Sequence, residues 1–192
     1  MGPSIKGTQT EQNLLAAFAG ESQARNRYTY FASVARKEGY EQIAAIFQET
    51  GDNEKEHAKV FFKHLEGGEV EIAAVYPAGV IGDTLANLEA AATGEKLEWS
   101  KLYPGFEAVA KEEGFLEVAA SFREIAEVES YHERRYNTLA NRIAKGEVFK
   151  RDEVIGWKCR NCGYVHQGTE APQICPACEH PQAYYEPWAE NY

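Results

Sequence analysis

The sequence predicts an all-α four-helix bundle, built from a duplicated helical hairpin with a long crossover, followed by a small C-terminal metal-binding domain. Three observations predict this fold. Two Glu-x-x-His motifs lie in similar surroundings 75 positions apart, at Glu54/His57 and at Glu129/His132. Four long segments carry apolar residues at helical spacing. All four cysteines lie beyond position 158, in two Cys-x-x-Cys pairs.

The composition argues against several classes of function. The 192 residues are enough for a bundle core and a second, smaller module. The net charge of −10 argues against binding to nucleic acid or to anionic membrane surfaces, because both attract basic patches. No apolar run approaches the roughly 20 residues that cross a bilayer. The N-terminus lacks the apolar core of a secretory signal, so we expect a cytoplasmic protein.

The first half of the bundle is predicted to be a helical hairpin. Thr8 and Glu11 form a capping-box pattern, and apolar residues at helical spacing follow it. The first helix should stop at Gly39. A second helix is predicted from about Tyr40 to Leu65, where two glycines follow and end it.

The second helix is followed by the mostly apolar stretch EVEIAAVYPAGVIG. It is too long for a tight turn and too apolar for a flexible linker. We therefore expect a crossover that lies along the bundle, so that the helices it joins need not be antiparallel neighbours.

The second half of the bundle should contain an interruption. Asp83 or Thr84 can cap the third helix. Pro104 must kink or interrupt this helix, because proline removes a backbone donor and clashes with the preceding turn. The helical pattern then resumes, and a fourth helix is predicted over residues 115–144.

A change in composition marks the boundary between two expected domains. Residues 147–156 are a charged connector, after which cysteine, glycine, proline and aromatic residues predominate. We expect the bundle over residues 1–146 and the metal-binding domain over residues 157–192. The second domain is so short that a metal should supply much of its folding free energy.

The duplicated motifs predict a dinuclear metal site in the bundle core. Two Glu-x-x-His motifs, with a glutamate from each of two other helices, form the ligand set of di-iron carboxylate bundles. Glu21 is the candidate on the first helix, and the repeat places its counterpart at Lys96. A one-residue slip is expected in an imperfect duplication with a proline kink, which makes Glu95 the natural counterpart. Glu98, three residues on, shares its helix face.

Seven side chains are therefore expected to point inward. They are Glu21, Glu54, His57, Glu95, Glu98, Glu129 and His132. Five ionised carboxylates in a dry core would cost many kcal/mol unless cations neutralised them. Oxygen-rich ligands with one imidazole per metal suit divalent iron or manganese better than zinc–thiolate chemistry does. A single glutamate on a helix is more often solvated, but two motifs at one repeat offset argue against that alternative.

The cysteines predict a tetrahedral metal site on two tight turns. The ligands would be Cys159, Cys162, Cys175 and Cys178. Gly163 relieves the first turn and lets backbone N–H groups bond to the sulfurs, as in iron redox centres. Glu179 occupies the position where the second turn would usually carry glycine. The spacing suits a structural zinc ribbon as well as iron, so the residues alone leave both metals open.

Together these features resemble the rubrerythrin family, and the resemblance covers essentially the whole chain. It is carried by FAGESQARNRY around Glu21, the two Glu-x-x-His motifs, Glu95 with Glu98, and CRNCGY with CPAC near the C-terminus. The family has a ferritin-like bundle with an extra glutamate, matched here by Glu98, and an appended rubredoxin-like domain. The resemblance implies two irons in the bundle, one iron on the cysteines, and reduction of hydrogen peroxide to water.

The resemblance also implies which residues bind each iron. Glu54 and Glu129 would bridge the two irons. Glu21 would bind one iron, and Glu95 with His132 would bind the other.

Four residues are expected to act in catalysis. The resemblance implies that the first iron exchanges Glu98 for His57 when the site is reduced. Tyr28 and Tyr103 match tyrosines that line the pocket and hydrogen-bond to ligands or to bound peroxide.

The resemblance further implies partners for the protein. Electrons would come from NAD(P)H through a reductase or a rubredoxin and enter at the cysteine-bound iron. The family commonly forms homodimers in which one subunit's cysteine site approaches the other's di-iron site. Two alternatives remain open, namely a ferritin-like ferroxidase or iron-storage protein, and a zinc-ribbon binding module on a bundle scaffold. The extra glutamate and the redox-type C-terminal domain argue against an iron-storage protein. Metal analysis would show whether the cysteines bind zinc, as the binding-module alternative requires, or iron.

Overall fold

The helices follow the chain in the predicted order, a small domain with three strands comes after them, and the predicted fold class is confirmed. The computed structural model describes residues 3–191, so the expected domain limits at residues 1 and 192 lie outside it. The helices are α1 (Gln9–Lys37), α2 (Glu41–Lys63), α3 (Thr84–Leu97), α4 (Tyr103–Glu112) and α5 (Leu116–Ala144), with a π-helical segment (Glu98–Leu102) between α3 and α4. The strands are β1 (Lys150–Cys159), β2 (Val165–Glu170) and β3 (Tyr185–Pro187), and a 3₁₀ turn (Gln182–Tyr184) precedes the last of them. Across residues 3–191, no helix combines the length and the apolarity that a bilayer crossing requires.

The first hairpin packs α1 tightly against α2. Thr8 caps α1, since its hydroxyl accepts a hydrogen bond from the backbone N–H of Glu11 at 3.1 Å. Gly51 of α2 faces α1, where an added Cβ would lie 3.4 Å from the carbonyl oxygen of Arg25. Such a contact is tighter than most, so glycine lets the two backbones approach closely at the level of the metal ligands.

The crossover (residues 65–83) runs from α2 to α3 without helix or strand, as predicted. Tyr76 fixes it to α1, because its hydroxyl donates to the carbonyl oxygen of Ala16 at 2.7 Å. At its end Asp83 caps α3 by accepting from the N–H of Ala86 at 2.8 Å. The third helix therefore begins at the first of the two predicted caps.

The second hairpin repeats the first with one residue inserted in the π-helical segment. Glu21 and Glu95 are 74 positions apart, whereas Tyr28 and Tyr103 are 75 positions apart. Between these two pairs, the N–H of Tyr103 donates to the carbonyl oxygen of Glu98, five residues back. A π-helical turn accommodates one more residue than an α-helical turn. The one-residue slip between the repeats therefore arises at this segment.

Pro104 lies at the start of α4, directly after the π-helical segment. The first turn of a helix tolerates proline because its missing N–H would have no intrahelical partner there. The predicted interruption is thus present, and it takes the form of a wide turn followed by a new helix start.

Two apolar clusters divide the bundle core. On α2, Phe47 belongs to one cluster and Phe61 to the other, and Glu54 lies between them. On α5, Phe122 and Tyr136 likewise flank Glu129, with the two clusters in the reverse order along the chain. The charged ligands therefore lie in a layer between the two apolar clusters. These clusters keep bulk water from reaching the ligands along the bundle axis.

The C-terminal domain is a three-stranded antiparallel sheet in the order β2-β1-β3. The predicted connector over residues 147–156 was wrong in extent, because β1 begins at Lys150. Lys150 pairs with Glu170, and Ile155 pairs with Gly168. The charged residues at the start of β1 are mostly exposed. An exposed strand has the same charged composition as a linker, so the sequence pattern did not distinguish the two.

The C-terminal domain contacts the bundle at the turn between α1 and α2. The rings of Tyr40 and Phe149 stack with their centroids 6.2 Å apart and an interplanar angle of 14°. Next to them, a Cβ at Gly39 would lie 3.6 Å from the methyl group of Ala183. The domain is therefore attached at one end of the bundle, away from the layer of charged ligands.

Candidate metal centres

Six of the seven predicted bundle ligands meet in two overlapping clusters in which the ligand atoms lie within 4.8 Å of one another. The first cluster is Glu21, Glu54, His57 and Glu129, and the second is Glu54, Glu95, Glu129 and His132. Glu54 and Glu129 belong to both clusters, which is the position that a bridging carboxylate requires. The side chain of His57 is 13% exposed, whereas the carboxylates are almost completely buried.

The imidazole nitrogens face the shared carboxylates at contact distance. The Nδ1 atom of His57 lies 2.8 Å from Oε2 of Glu54 and 2.8 Å from Oε1 of Glu129. The Nδ1 atom of His132 lies 2.7 Å from Oε2 of Glu129 and 3.3 Å from Oε1 of Glu54. Each histidine thus contacts both carboxylates that the two clusters share.

These facing atoms do not satisfy one another as hydrogen-bond partners. Within residues 3–191 no hydrogen-bond geometry is met by Oε2 of Glu21, both oxygens of Glu54, Oε2 of Glu95, both oxygens of Glu129, or Nδ1 of His57 and His132. Their lone pairs converge on common points instead of on donor hydrogens. Buried polar atoms left in this state cost about 1–3 kcal/mol each. One cation per cluster would satisfy them, so the donor set fits a pair of metal ions.

The electrostatics of the clusters also demand positive charge. Burial raises the pKa of Glu21 and of Glu95 well above the usual value, and the neighbouring bridging carboxylates raise it further. Burial opposes charge on His57 and His132, but the facing carboxylates outweigh it and raise their pKa values to about 10 and about 12. Burial likewise acts against the charge of Glu129, yet the two histidines lower its pKa to about 2. The site thus attracts protons or metal cations strongly.

Two buried tyrosines hold ligands that belong to the opposite half of the bundle. The hydroxyl of Tyr28 on α1 donates to Oε1 of Glu95 on α3 at 2.5 Å. The hydroxyl of Tyr103 on α4 donates to Oε1 of Glu21 on α1 at 2.5 Å. In each pair the second carboxylate oxygen, Oε2 of Glu95 or of Glu21, has no hydrogen bond within residues 3–191 and remains available to a metal ion. The tyrosine therefore fixes the orientation of the carboxylate ligand.

Glu98 is the one predicted ligand that lies outside both clusters. It begins the π-helical segment and is half-buried. Its Oε1 atom lies 3.9 Å from where a Cβ of Gly20 would be, at the edge of a cavity. Burial and the nearby Glu95 carboxylate raise the pKa of Glu98 well above the usual value. The first cluster contains His57 and does not contain Glu98.

Two further contacts at this site escaped the sequence-based prediction. The indole N–H of Trp99 in the π-helical segment donates to Glu133, next to the ligand His132, at 2.7 Å. Tyr136 is completely buried, with its ring centroid 5.5 Å from that of Tyr28. The repeat offset of 75 equates Tyr136 with Phe61 of the first half, and this signal could have identified it.

The four cysteines come together at the edge of the C-terminal sheet. The Sγ atoms of Cys159 and Cys178 are 3.7 Å apart, as are those of Cys162 and Cys175. These distances greatly exceed the roughly 2.05 Å of a disulfide bond. They match the edge of about 3.8 Å that a tetrahedron with metal–sulfur bonds of about 2.3 Å would have. The four thiolates therefore fit one tetrahedral metal ion.

The two cysteine turns have the same backbone geometry. The N–H of Gly163 donates to the carbonyl oxygen of Cys159 at 2.8 Å, and the N–H of Glu179 donates to that of Cys175 at 2.9 Å. Gly163 has a φ of +82°, and Glu179, its counterpart, has a φ of +61°. A backbone hydrogen bond from His180 lowers the pKa of Cys178 to about 6, which favours the thiolate that binds metal.

Comparison with known families decides the identity of both centres. A family model described as Rubrerythrin matches residues 12–140, which include every ligand of the bundle site. A second model, described as Rubrerythrin, rubredoxin-like domain, matches residues 157–186 and all four cysteines. The chain belongs to the rubrerythrin family. Its bundle site is accordingly a di-iron site, and its cysteines form a rubredoxin-like iron site, as the sequence predicted.

Individual rubrerythrins are similar over the whole chain. Rubrerythrin of Porphyromonas gingivalis is 62% identical over 192 residues, which cover 100% of this chain and 96% of that protein. Rubrerythrin of Nitratidesulfovibrio vulgaris is 56% identical over 183 residues, covering 95% and 96%. A solved structure of nigerythrin in its fully reduced, all-ferrous state superposes with a TM-score of 0.64 at 33% identity, covering 96% and 91% of the two chains.

Proposed function

We propose that this protein is an iron peroxidase that reduces hydrogen peroxide to water with electrons that reach the di-iron site from the four-cysteine site. The observation that carries the proposal is that one chain combines a buried dinuclear carboxylate site with a separate one-electron thiolate site. Two reduced irons held there would provide the two electrons that reduction of one O–O bond requires. The cysteine site can then restore these electrons one at a time.

The residues around the bundle site would bind the metal ions and supply the protons that the reaction consumes. Glu54 and Glu129 would bind both irons, and the hydroxyls of Tyr28 and Tyr103 keep Glu95 and Glu21 oriented. Reduction of hydrogen peroxide to two waters also consumes two protons. The raised pKa of Glu98 lets its carboxyl group hold a proton beside the cavity, where it can donate to a leaving oxygen.

Exchange between Glu98 and His57 would match the ligand charge to the charge of the site. A carboxylate ligand suits the more positive oxidised site, and a neutral imidazole suits the reduced one. The half-buried π-helical segment gives Glu98 freedom to move without breaking a regular helix.

Electron delivery would involve a second copy of the chain. The C-terminal domain contacts the bundle at Tyr40, and fourteen residues of α2 separate that contact from Glu54. At 1.5 Å per residue this is a rise of roughly 21 Å within one chain. We therefore favour a homodimer in which the partner's cysteine site approaches the di-iron site. A rubredoxin or an NAD(P)H-dependent reductase would donate to the cysteine iron in the cytoplasm, where thiolates stay reduced.

The proposal is tested by mixing reduced holoprotein with hydrogen peroxide or with dioxygen in a stopped-flow spectrometer. Peroxide accepts both electrons of the site at once, whereas complete reduction of dioxygen needs four. We expect peroxide to oxidise the di-iron site much faster. Equal rates, or faster reaction with dioxygen, would favour a ferroxidase instead.

A variant of the cysteine site tests the electron route. Cys162→Ser should leave the bundle folded and its two irons bound, but external donors should no longer reduce them. Photochemical reduction should still make this variant competent to react with peroxide for one turnover. Full turnover of Cys162→Ser with an NAD(P)H-linked donor would contradict the route.

A further inference from the structure

A cavity of about 430 Å³ lies beside the di-iron site, between α1, the crossover and the π-helical segment. Its inner end is formed by Tyr28, Tyr103 and Glu98. The first two hydroxyls bond to ligand carboxylates, so this end of the cavity adjoins the metal ligands directly. A molecule in the cavity can therefore reach the reacting centre.

The cavity is much larger than hydrogen peroxide needs. One water molecule takes up about 30 Å³ in the liquid, and hydrogen peroxide adds only one oxygen atom to that. A volume of 430 Å³ lies instead in the range of roughly 300–1,000 Å³ that is typical of sites for small organic molecules. The size thus points to a substrate with a carbon skeleton.

The walls of the cavity are mostly apolar beyond its inner end. The apolar lining includes Ala16, Ile72, Tyr76, Leu97, Leu102 and Phe106. Gln23 and Arg27 add polar groups on α1 between Gly20 and Tyr28, close to the metal-side end, and further polar residues elsewhere in the lining are Gln9, Gln12, Asn13 and Lys101. An apolar body joined to a polar head is the chemistry that this distribution accommodates.

We propose that the cavity binds organic hydroperoxides, ROOH, with the peroxide group at Glu98 and Tyr103 and the R group along the crossover. This inference rests on the proposed peroxide reduction and extends it to a second class of substrate. The O–O bond breaks, two electrons come from the di-iron site, and each oxygen takes up one proton. The products are one alcohol, ROH, and one water.

Gly20 and Tyr76 set the width of the passage between the apolar part and Glu98. A Cβ on Gly20 would lie 3.6 Å from the Tyr76 ring and 3.9 Å from Oε1 of Glu98. The Tyr76 hydroxyl is fixed to the carbonyl oxygen of Ala16, which holds the ring over this point. The absence of a side chain at Gly20 therefore leaves room for an R group to pass.

The test compares three oxidants on reduced holoprotein, namely hydrogen peroxide, tert-butyl hydroperoxide and cumene hydroperoxide. Ala16→Leu fills the apolar part of the cavity from a half-buried helical position where leucine is a good helix former. Ala45→Leu, at a half-buried position of α2 outside the cavity lining, is the matched control. We expect Ala16→Leu to slow cumene hydroperoxide by about 10- to 200-fold, the range for steric changes in an apolar pocket. The rate with hydrogen peroxide should not change, and Ala45→Leu should affect neither.

A binding measurement keeps the test independent of turnover. The alcohol 2-phenylpropan-2-ol, the product of cumene hydroperoxide, should bind saturably to oxidised holoprotein in a calorimeter. Its affinity should fall with Ala16→Leu and not with Ala45→Leu. Tyr76→Ala, which widens the passage, should raise the rate with cumene hydroperoxide relative to tert-butyl hydroperoxide.

The outcomes separate this inference from the proposed function. Fast oxidation by hydrogen peroxide, with no alcohol binding and a cumene hydroperoxide rate that Ala16→Leu does not change, would overturn the inference and leave the peroxidase proposal intact. Slow oxidation by every peroxide, with dioxygen faster, would overturn the peroxidase proposal itself. Equal slowing of hydrogen peroxide and cumene hydroperoxide by Ala16→Leu would show general damage and would also count against the cavity as a binding site.

Discussion

The first and second hairpins of the bundle supply similar ligands but differ on one side of the site. Under the 74-residue offset that equates Glu21 with Glu95, the counterpart of Glu98 in the first hairpin is Ala24. Only the second hairpin therefore carries an additional carboxylate, and only there does a π-helical segment follow the ligand. One inserted residue therefore makes the two sides of the metal site unequal.

The cluster that contains Glu21 and His57 is more accessible than the cluster that contains Glu95 and His132. The side chain of His57 is 13% exposed and that of His132 is 6% exposed. Glu98 borders the cavity, which also contacts the α1 residues just before and after Glu21. Substitutions at equivalent positions of the two hairpins can therefore separate what both halves share from what only one half does.

The bridging glutamates should be equivalent, and their loss should have the largest effect. Glu54→Ala and Glu129→Ala each remove a ligand from both clusters and leave the remaining buried carboxylates without a shared cation. We expect iron analysis to show loss of both bundle irons in each variant, while the red ferric–thiolate absorption persists. Retention of one bundle iron in either variant would show that the two positions are not both bridges.

Glu98→Ala makes the second hairpin resemble the first, which has Ala24 at this position. We expect both bundle irons to remain, because six ligands still surround them. Peroxide reduction should slow by about 10- to 100-fold, the usual effect of removing a side chain that supports a metal site. Glu89→Ala, an exposed site on α3, serves as the control. Peroxide kinetics unchanged by Glu98→Ala would remove the case for a functional seventh ligand.

The two ligand-bound tyrosines should be equivalent, with an intermediate effect on stability. Tyr28→Phe and Tyr103→Phe each remove one buried hydrogen bond to a carboxylate of the other hairpin. We expect each to lower the free energy of unfolding by about 1.5–3 kcal/mol, as for hydrogen bonds to charged groups. Tyr30→Phe, at an exposed position, should have little effect. Denaturant unfolding of the holoproteins measures all three.

The two cysteine turns can be compared in the same way, and here we expect the smallest change in stability. Gly163 and Glu179 occupy equivalent left-handed positions, but only glycine adopts that conformation without steric cost. Glu179→Gly should stabilise the C-terminal domain by about 1 kcal/mol, since a non-glycine residue there costs about 1–2 kcal/mol. Loss of the thiolate absorption with increasing guanidinium gives the stability. A lower midpoint would mean that the Glu179 side chain makes a compensating contact.

The sequence predicted the helices and the clustered ligands well, because caps, helical periodicity and the repeat all depend on local chemistry. It placed Glu95 correctly opposite Glu21, but it could not show that the slip is produced by a π-helical turn. Whether that turn directs Glu98 toward the metals or toward the cavity depends on packing between distant segments. The connector was misjudged because an exposed strand such as the start of β1 carries the same charges as a linker.

The crossover is the covalent connection between the two hairpins of the bundle. Residues 65–83 join two halves whose helices pack mainly within each hairpin, and Val75 and Val80 in this segment are 97% and 86% exposed. A protease cut there would release two fragments, neither with a complete coordination sphere, because each cluster needs Glu54 from one fragment and Glu129 from the other. The fragments should recombine when ferrous iron is added and separate when it is chelated. Such a nicked protein would report the presence of ferrous iron by the association of its two fragments.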